Sequence, residues 1–242
     1  MSAALAVDGV TVSYRGAIAV RDVSFEVQPG EVVALLGSNG AGKTSLAKAV
    51  AGLVARTGTV AVGSTVVKNQ HPERFRQAGG ALVPQGRELF PELTVRDHLV
   101  LGTYGRYLRM SKAMGSPALV KSIERFPVLG EMLERHAGLL SGGQQQMLAV
   151  ARALVGEPAL LVVDEPSLGL APIITDGLYD EFASLRDSGI SLLIIEESPQ
   201  RALKLADRAL VMERGQIAEE LNLQGHAENV MKRLEGRYLG IS

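Results

Sequence analysis

With 242 residues, 46 % of them apolar, the chain can build one sizeable core, or one domain with a smaller lobe, and it is too apolar for a disordered segment. Its 25 basic residues face 26 acidic ones, a formal net charge of -1, which gives no support for a nucleic-acid partner held by bulk positive charge. There is no cysteine, so disulfides and thiolate metal sites are excluded, and His71, His98, His136 and His226 are too scattered for metal-ligand spacing.

No apolar run approaches the roughly 18 residues that a bilayer crossing needs. Residues 1–9 lack a basic start and place Asp8 close behind a weakly apolar stretch, which is not the pattern of a signal peptide. The expectation is a cytoplasmic chain whose membrane association comes through a partner.

Short alternating bursts at Leu5-Ala6-Val7, Val10-Thr11-Val12 and Val20 to Val27 read as strands, with Arg15-Gly16 as a turn between two of them. Pro29-Gly30 punctuates the chain. Val32 to Leu36 follows as a strand buried on both faces, and it empties into a glycine-rich segment. A helix over 43–53 is expected next, then strands at 58–62 and 65–68, a short helix over 72–78 and a buried strand at 81–83. From Thr94 to Gly138 the pattern is mostly helical, interrupted at Gly115-Ser116-Pro117, which suggests a separate lobe. Beyond it come helices over 143–155, 172–187 and 199–205, strands at 160–163, 190–195 and 209–213, and a helical tail over 227–238. Strands alternating with helices predict an α/β fold with a largely parallel sheet covered on both faces.

The glycine-rich segment is Gly37-Ser38-Asn39-Gly40-Ala41-Gly42-Lys43-Thr44, which matches G-x-x-x-x-G-K-[ST] with a strand before it and a helix after it. Such a loop wraps tightly, turns backbone N–H groups inward as an anion nest, and adds the positive end of the following helix. Lys43 is placed to reach the β- and γ-phosphates of a nucleotide. The Thr44 hydroxyl is placed to coordinate Mg²⁺, and Ser45 lies in the first helical turn. Leu160 to Val163 is an apolar strand ending in Asp164-Glu165, and ligand crevices of parallel sheets lie beyond such strand ends. Adjacent strand residues point to opposite sides. Asp164 is therefore expected in the Mg²⁺ shell and Glu165 as the general base that polarises water.

Leu140-Ser141-Gly142-Gly143-Gln144-Gln145 narrows the reading. As local structure it is a helix N-cap with two glycines, another anion-binding arrangement. Together with the phosphate loop, Pro84-Gln85 and Asp164-Glu165 in that order, it resembles the signature of ABC-transporter ATPases, and the resemblance covers nearly the whole chain. It implies the P-loop NTPase fold of the ABC type: one ATPase domain over 1–242, with an N-terminal antiparallel β subdomain, nucleotide-binding segments at about 1–85 and 141–242, and an inserted helical lobe at about 86–140.

In that family two ATPase domains pack head to tail, each ATP held between one phosphate loop and the other domain's signature turn. The resemblance therefore implies that Ser141, Gly142, Gly143 and Gln144 contact a partner's ATP. It implies that Gln85 joins the metal and catalytic groups and couples the site to the helical lobe, that Ser167-Leu168-Gly169-Leu170 crosses toward the opposite site, and that Tyr14 stacks on adenine. Where the family commonly has a histidine, this chain has Glu197. An ionised Glu there repels a triphosphate and offers no N–H donor, so it is expected to turn away, or to mark slow, partner-dependent turnover. Glu197 is not expected to be the main catalytic group.

Residues 88–95, the phrase Asp164-Glu165-Pro166-Ser167-Leu168-Gly169-Leu170-Ala171-Pro172 and the ending Tyr238-Leu239-Gly240 are similar to the smaller ATPase of high-affinity branched-chain amino-acid importers. That resemblance implies ATP and Mg²⁺ as cofactors. It implies as partners a second homologous ATPase subunit, with a homodimer in isolation as the alternative, integral-membrane permease subunits and, indirectly, a solute-binding protein. The location it implies is the cytoplasmic face of a bacterial inner membrane. Importers of urea, short amides or aromatic acids, a non-transport ABC ATPase and a non-catalytic subunit remain as alternatives.

Overall fold

The computed structural model describes residues 2–104 and 115–223. The helical tail expected over 227–238 and the Tyr238-Leu239-Gly240 ending lie outside them.

The chain opens with β1 (Leu5–Tyr14) and β2 (Ala17–Val27), an antiparallel pair turning at Arg15-Gly16. The expected bursts at 5–7 and 10–12 form one strand, and the register shifts between Val7 and Val10 explain the gap in the pattern. β4 (Thr57–Val62) pairs with β1, and β5, only Thr65–Val66, closes a four-stranded sheet in the order β2-β1-β4-β5.

The second sheet has six strands in the order β10-β9-β3-β8-β7-β6, composed of β3 (Val32–Leu36), β6 (Gly80–Val83), β7 (Leu160–Asp164), β8 (Ser191–Glu196), β9 (Arg208–Glu213) and β10 (Gln216–Asn222). Neighbours from β9 to β6 are parallel, and β10 returns antiparallel along the edge. The sequence reading has no strand at β10. Its apolar alternation is broken by Glu219, and its pairing with β9 sets its place.

Alternate residues of the central strands feed two separate cores. Ala34, Leu36, Leu161, Val163 and Ile194 face one, and Val33, Leu35, Val162, Leu193 and Ile195 face the other. Each fully buried Leu or Ile contributes about 1.5–3 kcal/mol, which is why these strands read as unbroken apolar runs. The first core is filled by α3 (Val95–Gly102), α4 (Pro117–Arg125), α6 (Gly142–Leu154) and α7 (Pro172–Asp187), after the one-turn α5 (Pro127–Gly130). The other core is covered by α1 (Lys43–Val50), the four-stranded sheet and Phe75 of α2 (Pro72–Gln77). A last helix, α8 (Pro199–Leu205), joins β8 to β9.

In the segment expected to be mostly helical, α3 begins with a capping box between Thr94 and Asp97, and Ser116 caps α4. Residues 126–140 are one-turn pieces rather than a long helix, in keeping with Pro127, Gly130 and Gly138.

Candidate nucleotide site

Lys43, Thr44, Ser45, Asn39, Gly40 and Gly42 line a cleft of about 230 Å³ together with Ala19, Gln85 and Glu165. The loop geometry follows from its glycines at two positions. Gly42 sits at φ +107, and a Cβ there would stand 2.3 Å from the Ala19 carbonyl oxygen. A Cβ on Gly37 would stand 2.5 Å from the Met212 carbonyl oxygen, so the loop lies directly against the β1–β2 lobe and β9.

Gly42 is also the N-cap of α1 and has no side chain to satisfy the first-turn amides, and the first turn carries no acidic residue. These amides and the helix dipole are thus left for an anion. Lys43, only 4 % exposed, folds back over its own loop and donates to the carbonyls of Gly37 (2.7 Å) and Ser38 (3.2 Å). Its ammonium is 3.8 Å from Glu165 Oε1.

The two carboxylates part company by backbone geometry rather than by strand alternation. Asp164 is the last residue of β7, whereas Glu165 has left the strand at φ +50, a left-handed conformation costing on the order of 1 kcal/mol for a residue with a Cβ. The Glu165 N–H donates to the Ile195 carbonyl at 2.9 Å, and Gln85 Nε2 donates to Glu165 Oε2 at 2.6 Å. Glu165 is thereby held between Lys43 and Gln85, residues 122 and 80 positions away in the chain.

Asp164 is 2 % exposed, and its Oδ1 has no hydrogen-bond partner. Burial raises its carboxyl to about 6; the Thr44 hydroxyl pulls the other way, the Glu165 charge adds to the rise, and Lys43 opposes it. A buried, unpartnered carboxylate oxygen next to a hydroxyl fits a hard divalent cation such as Mg²⁺.

β8 lies between β3 and β7, so its end stands in the middle of the site. Glu197, just past β8, does not turn away: it accepts from Asn39 Nδ2 at 2.9 Å and so faces the phosphate loop. The preceding residue, Glu196, carries no role in the sequence reading. It is buried and accepts from the Ser167 N–H and hydroxyl and from the Tyr179 hydroxyl. The only local signal for it is an acid at the end of an apolar strand.

Three expected contributors are elsewhere. Tyr14 is exposed at the tip of the β1–β2 hairpin and does not line the cleft. Ser141 to Gln144 also lie outside the cleft lining. They start α6 with a complete capping box: Gln144 N–H donates to Ser141 Oγ at 3.3 Å, and Ser141 N–H donates to Gln144 Oε1 at 2.9 Å. Leu168, in the Ser167–Leu170 loop, is exposed on the surface.

A family model described as "ABC transporter" matches residues 20–168, the stretch that carries the phosphate loop, Gln85, the Ser141 turn and both carboxylates. The chain belongs to the ABC-transporter family. It is an ATPase of that family, with the ATP-binding cassette fold. It is 38 % identical over 237 residues, 98 % of this chain and 99 % of the relative, to the high-affinity branched-chain amino acid transport ATP-binding protein BraG of Pseudomonas aeruginosa. A Nod factor export ATP-binding protein I of Burkholderia lata is 39 % identical over 204 residues, spanning 84 % of this chain and 66 % of that protein. Among solved structures, the ADP conformation of an ATP-binding cassette of an ABC transporter superposes with a TM-score of 0.84 at 26 % identity, covering 99 % of each chain. No helix of this ABC ATPase is long and apolar enough to cross a membrane, among the described residues.

Proposed function

We propose that this ATPase powers an importer of branched-chain or other hydrophobic amino acids, working as one half of an ATPase pair docked on permease subunits at the cytoplasmic face of a bacterial inner membrane. The observation that carries the cargo is the similarity to the branched-chain amino acid relative over almost the full length of both chains.

In this reading the α1 amides and the Lys43 ammonium take the β- and γ-phosphates, Lys43 exchanging its loop carbonyls for the nucleotide. Thr44, Asp164 and Gln85 hold Mg²⁺, which neutralises phosphate charge when bound. Glu165, fixed by Gln85 and by the Ile195 carbonyl, orients and polarises the attacking water. Tyr14, exposed at the hairpin tip outside the phosphate cleft, is left free to pack on the adenine beyond that cleft. Glu197 is not the main catalytic group; its carboxylate fixes Asn39 in the loop.

Ser141 to Gln144 act on the ATP of the second ATPase subunit. Their absence from the chain's own cleft lining supports this, as do the exposed Leu139 before the turn and Leu168 in the crossing loop, 64 % and 53 % exposed. In this reading about 86–140 is the inserted helical lobe. Between that lobe and the core lies a second cavity of about 360 Å³, with Leu53, Phe75, Leu101 and Arg152 in its wall, and it is the place for a permease segment.

Export is the second reading, favoured by the Nod factor export relatives at comparable identity. Purifying the native assembly separates the two. Co-purification of a solute-binding protein carrying leucine, isoleucine or valine supports import of these acids. Recovery of a permease with no solute-binding protein favours export, and recovery of no permease removes the transporter reading.

A further inference from the structure

The end of β8 makes three successive contacts with the two halves of the site. The Ile195 carbonyl receives the Glu165 N–H at 2.9 Å, Glu196 receives Ser167, and Glu197 receives Asn39 at 2.9 Å. The first and last touch groups already placed in ATP chemistry. The middle one touches the loop that follows Glu165.

Glu196 is 3 % exposed, an ionisable residue at the end of a strand whose other residues are all buried. Such a carboxylate is costly to bury unless its oxygens are satisfied. Here Oε1 accepts from the Ser167 N–H (3.2 Å) and the Tyr179 hydroxyl (3.1 Å), and Oε2 accepts from the Ser167 hydroxyl (3.0 Å). Burial pushes the carboxyl above its usual range, and these hydrogen bonds pull against that rise.

Two of the three bonds go to one residue, and one of these is to its backbone. That residue stands two positions after Glu165, in a loop of tight turns: Leu168 N–H donates to the Glu165 carbonyl at 3.2 Å and Leu170 N–H to the Ser167 carbonyl at 3.2 Å. Glu165 itself is held at φ +50, a conformation that persists only where its surroundings enforce it. The Ile195 bond fixes it on one side and the Ser167 tether fixes it on the other.

We propose that Glu196 is a positioning residue for ATP hydrolysis: it clamps Ser167 to the end of β8 and so fixes both the aim of Glu165 and the course of the Ser167–Leu170 loop. The inference rests on the reading of Glu165 as the group that polarises water and of this loop as the one that crosses to the second subunit. Glu196 touches no nucleotide in this scheme. Its loss should therefore spare ATP binding to the phosphate loop and lower the rate of the chemical step, because a small misplacement of the base is costly.

A neutral Gln at this position can make the same three bonds, with its amide oxygen accepting two and its amide N–H donating to the Ser167 hydroxyl oxygen. Shape and hydrogen bonding, not charge, are what the clamp needs.

The test uses the full-length purified chain, with ATPase rates and fluorescent-ATP binding measured for Glu196→Ala, Glu196→Gln and Ser167→Ala. The expected result for Glu196→Ala is a kcat lowered about tenfold or more, with KM and ATP affinity within about threefold of the parent. Glu196→Gln recovers most of the lost rate. Ser167→Ala lowers kcat less, because its backbone N–H still reaches the carboxylate. The double change Glu196→Ala/Ser167→Ala is no worse than Glu196→Ala alone.

A kcat for Glu196→Ala within about twofold of the parent overturns the clamp, as does a Gln variant as slow as Ala. Parallel losses of ATP affinity and kcat overturn it too, since they mark a structural role only. If Glu196→Ala does not fold, the comparison between Ser167→Ala and the parent decides, and an unchanged kcat there overturns the proposal. Glu165→Gln, run alongside, keeps the two levels apart: retained hydrolysis in that variant removes the reading on which the clamp rests, whatever Glu196 does.

Discussion

Two helices of this molecule begin with a serine- and glycine-rich or wholly glycine-rich turn, and their first turns are in opposite states. At α1 the N-cap is Gly42, no side chain caps the amides, and a buried Lys43 faces the carboxylate of Glu165 across the cleft. At α6 the N-cap is Ser141, and a reciprocal capping box with Gln144 already satisfies the turn. The first arrangement is unfinished within the chain and calls for an anion. The second is finished, so an anion arriving there from a second subunit has to compete with, or add to, internal hydrogen bonds. Under the proposed function, phosphate binding belongs to the first, and the second senses a neighbour's nucleotide.

The largest effect should come from the first region. Glu165→Gln keeps the shape and the Gln85 contact while removing the carboxylate; it should lower kcat by about a hundredfold or more with ATP affinity within about threefold, in steady-state hydrolysis and equilibrium binding. Comparable hydrolysis in this variant would leave the site without its base.

Asp164 gives a pH dependence whose sign is set by its raised carboxyl, about 6. Because the folded state holds this proton more tightly than the unfolded chain does, the group favours the nucleotide-free fold more as pH falls from about 6 toward the ordinary Asp value of about 4, and above about 6 its contribution is a constant penalty. Metal binding needs the ionised form, so Mg²⁺-dependent ATPase should fall as pH drops through about 6, and raising Mg²⁺ should move that fall to lower pH. Asp164→Asn removes the buried charge. It should abolish Mg²⁺-dependent hydrolysis and raise the melting temperature of the nucleotide-free protein at pH 8, as read by calorimetry.

Ser141→Ala tests the second region. Losing the cap should cost α6 about 1 kcal/mol and lower hydrolysis, while the ATP affinity of the single chain at low concentration stays unchanged. A matching loss of affinity would put Ser141 in its own chain's site. The smallest effect is expected for Glu197→Ala, which frees Asn39 and should lower kcat by less than about threefold.

The two regions were also unequally legible in the sequence. The phosphate loop could be read residue by residue because its spacing reflects one local wrap of backbone, and the structure brings Asn39, Gly40 and Gly42 to Ser45 together at one cleft, with Ala41 buried in the core behind it. The Asp164-Glu165 pair was legible as chemistry, but its geometry was not. Strand alternation accounts for neither the positive φ of Glu165 nor its place between Lys43, at the start of α1, and Gln85, in the turn after β6. Glu196 was invisible for the same reason: its partners Ser167 and Tyr179 are 29 and 17 residues away, and only the order β3-β8-β7 reveals that β8 ends inside the site. In the helical segment, the start at Thr94 and the break at Gly115-Ser116-Pro117 were legible, whereas the caps that Thr94 and Ser116 form and the one-turn pieces after Phe126 appear only in the structure, the latter packing onto α6.

The central claim is that each ATP is completed by another subunit's Ser141 turn. Mixing two purified inactive variants tests it most directly: Lys43→Ala, which loses the phosphate loop, and Ser141→Arg, which blocks the capped turn. In a head-to-tail pair of the two, one site keeps an intact phosphate loop facing an intact turn, so an equal mixture should regain roughly a quarter of the parent ATPase rate while each variant alone stays inactive. An active Ser141→Arg variant, or a mixture that stays inactive while the parent chain hydrolyses ATP under the same conditions, would contradict the account.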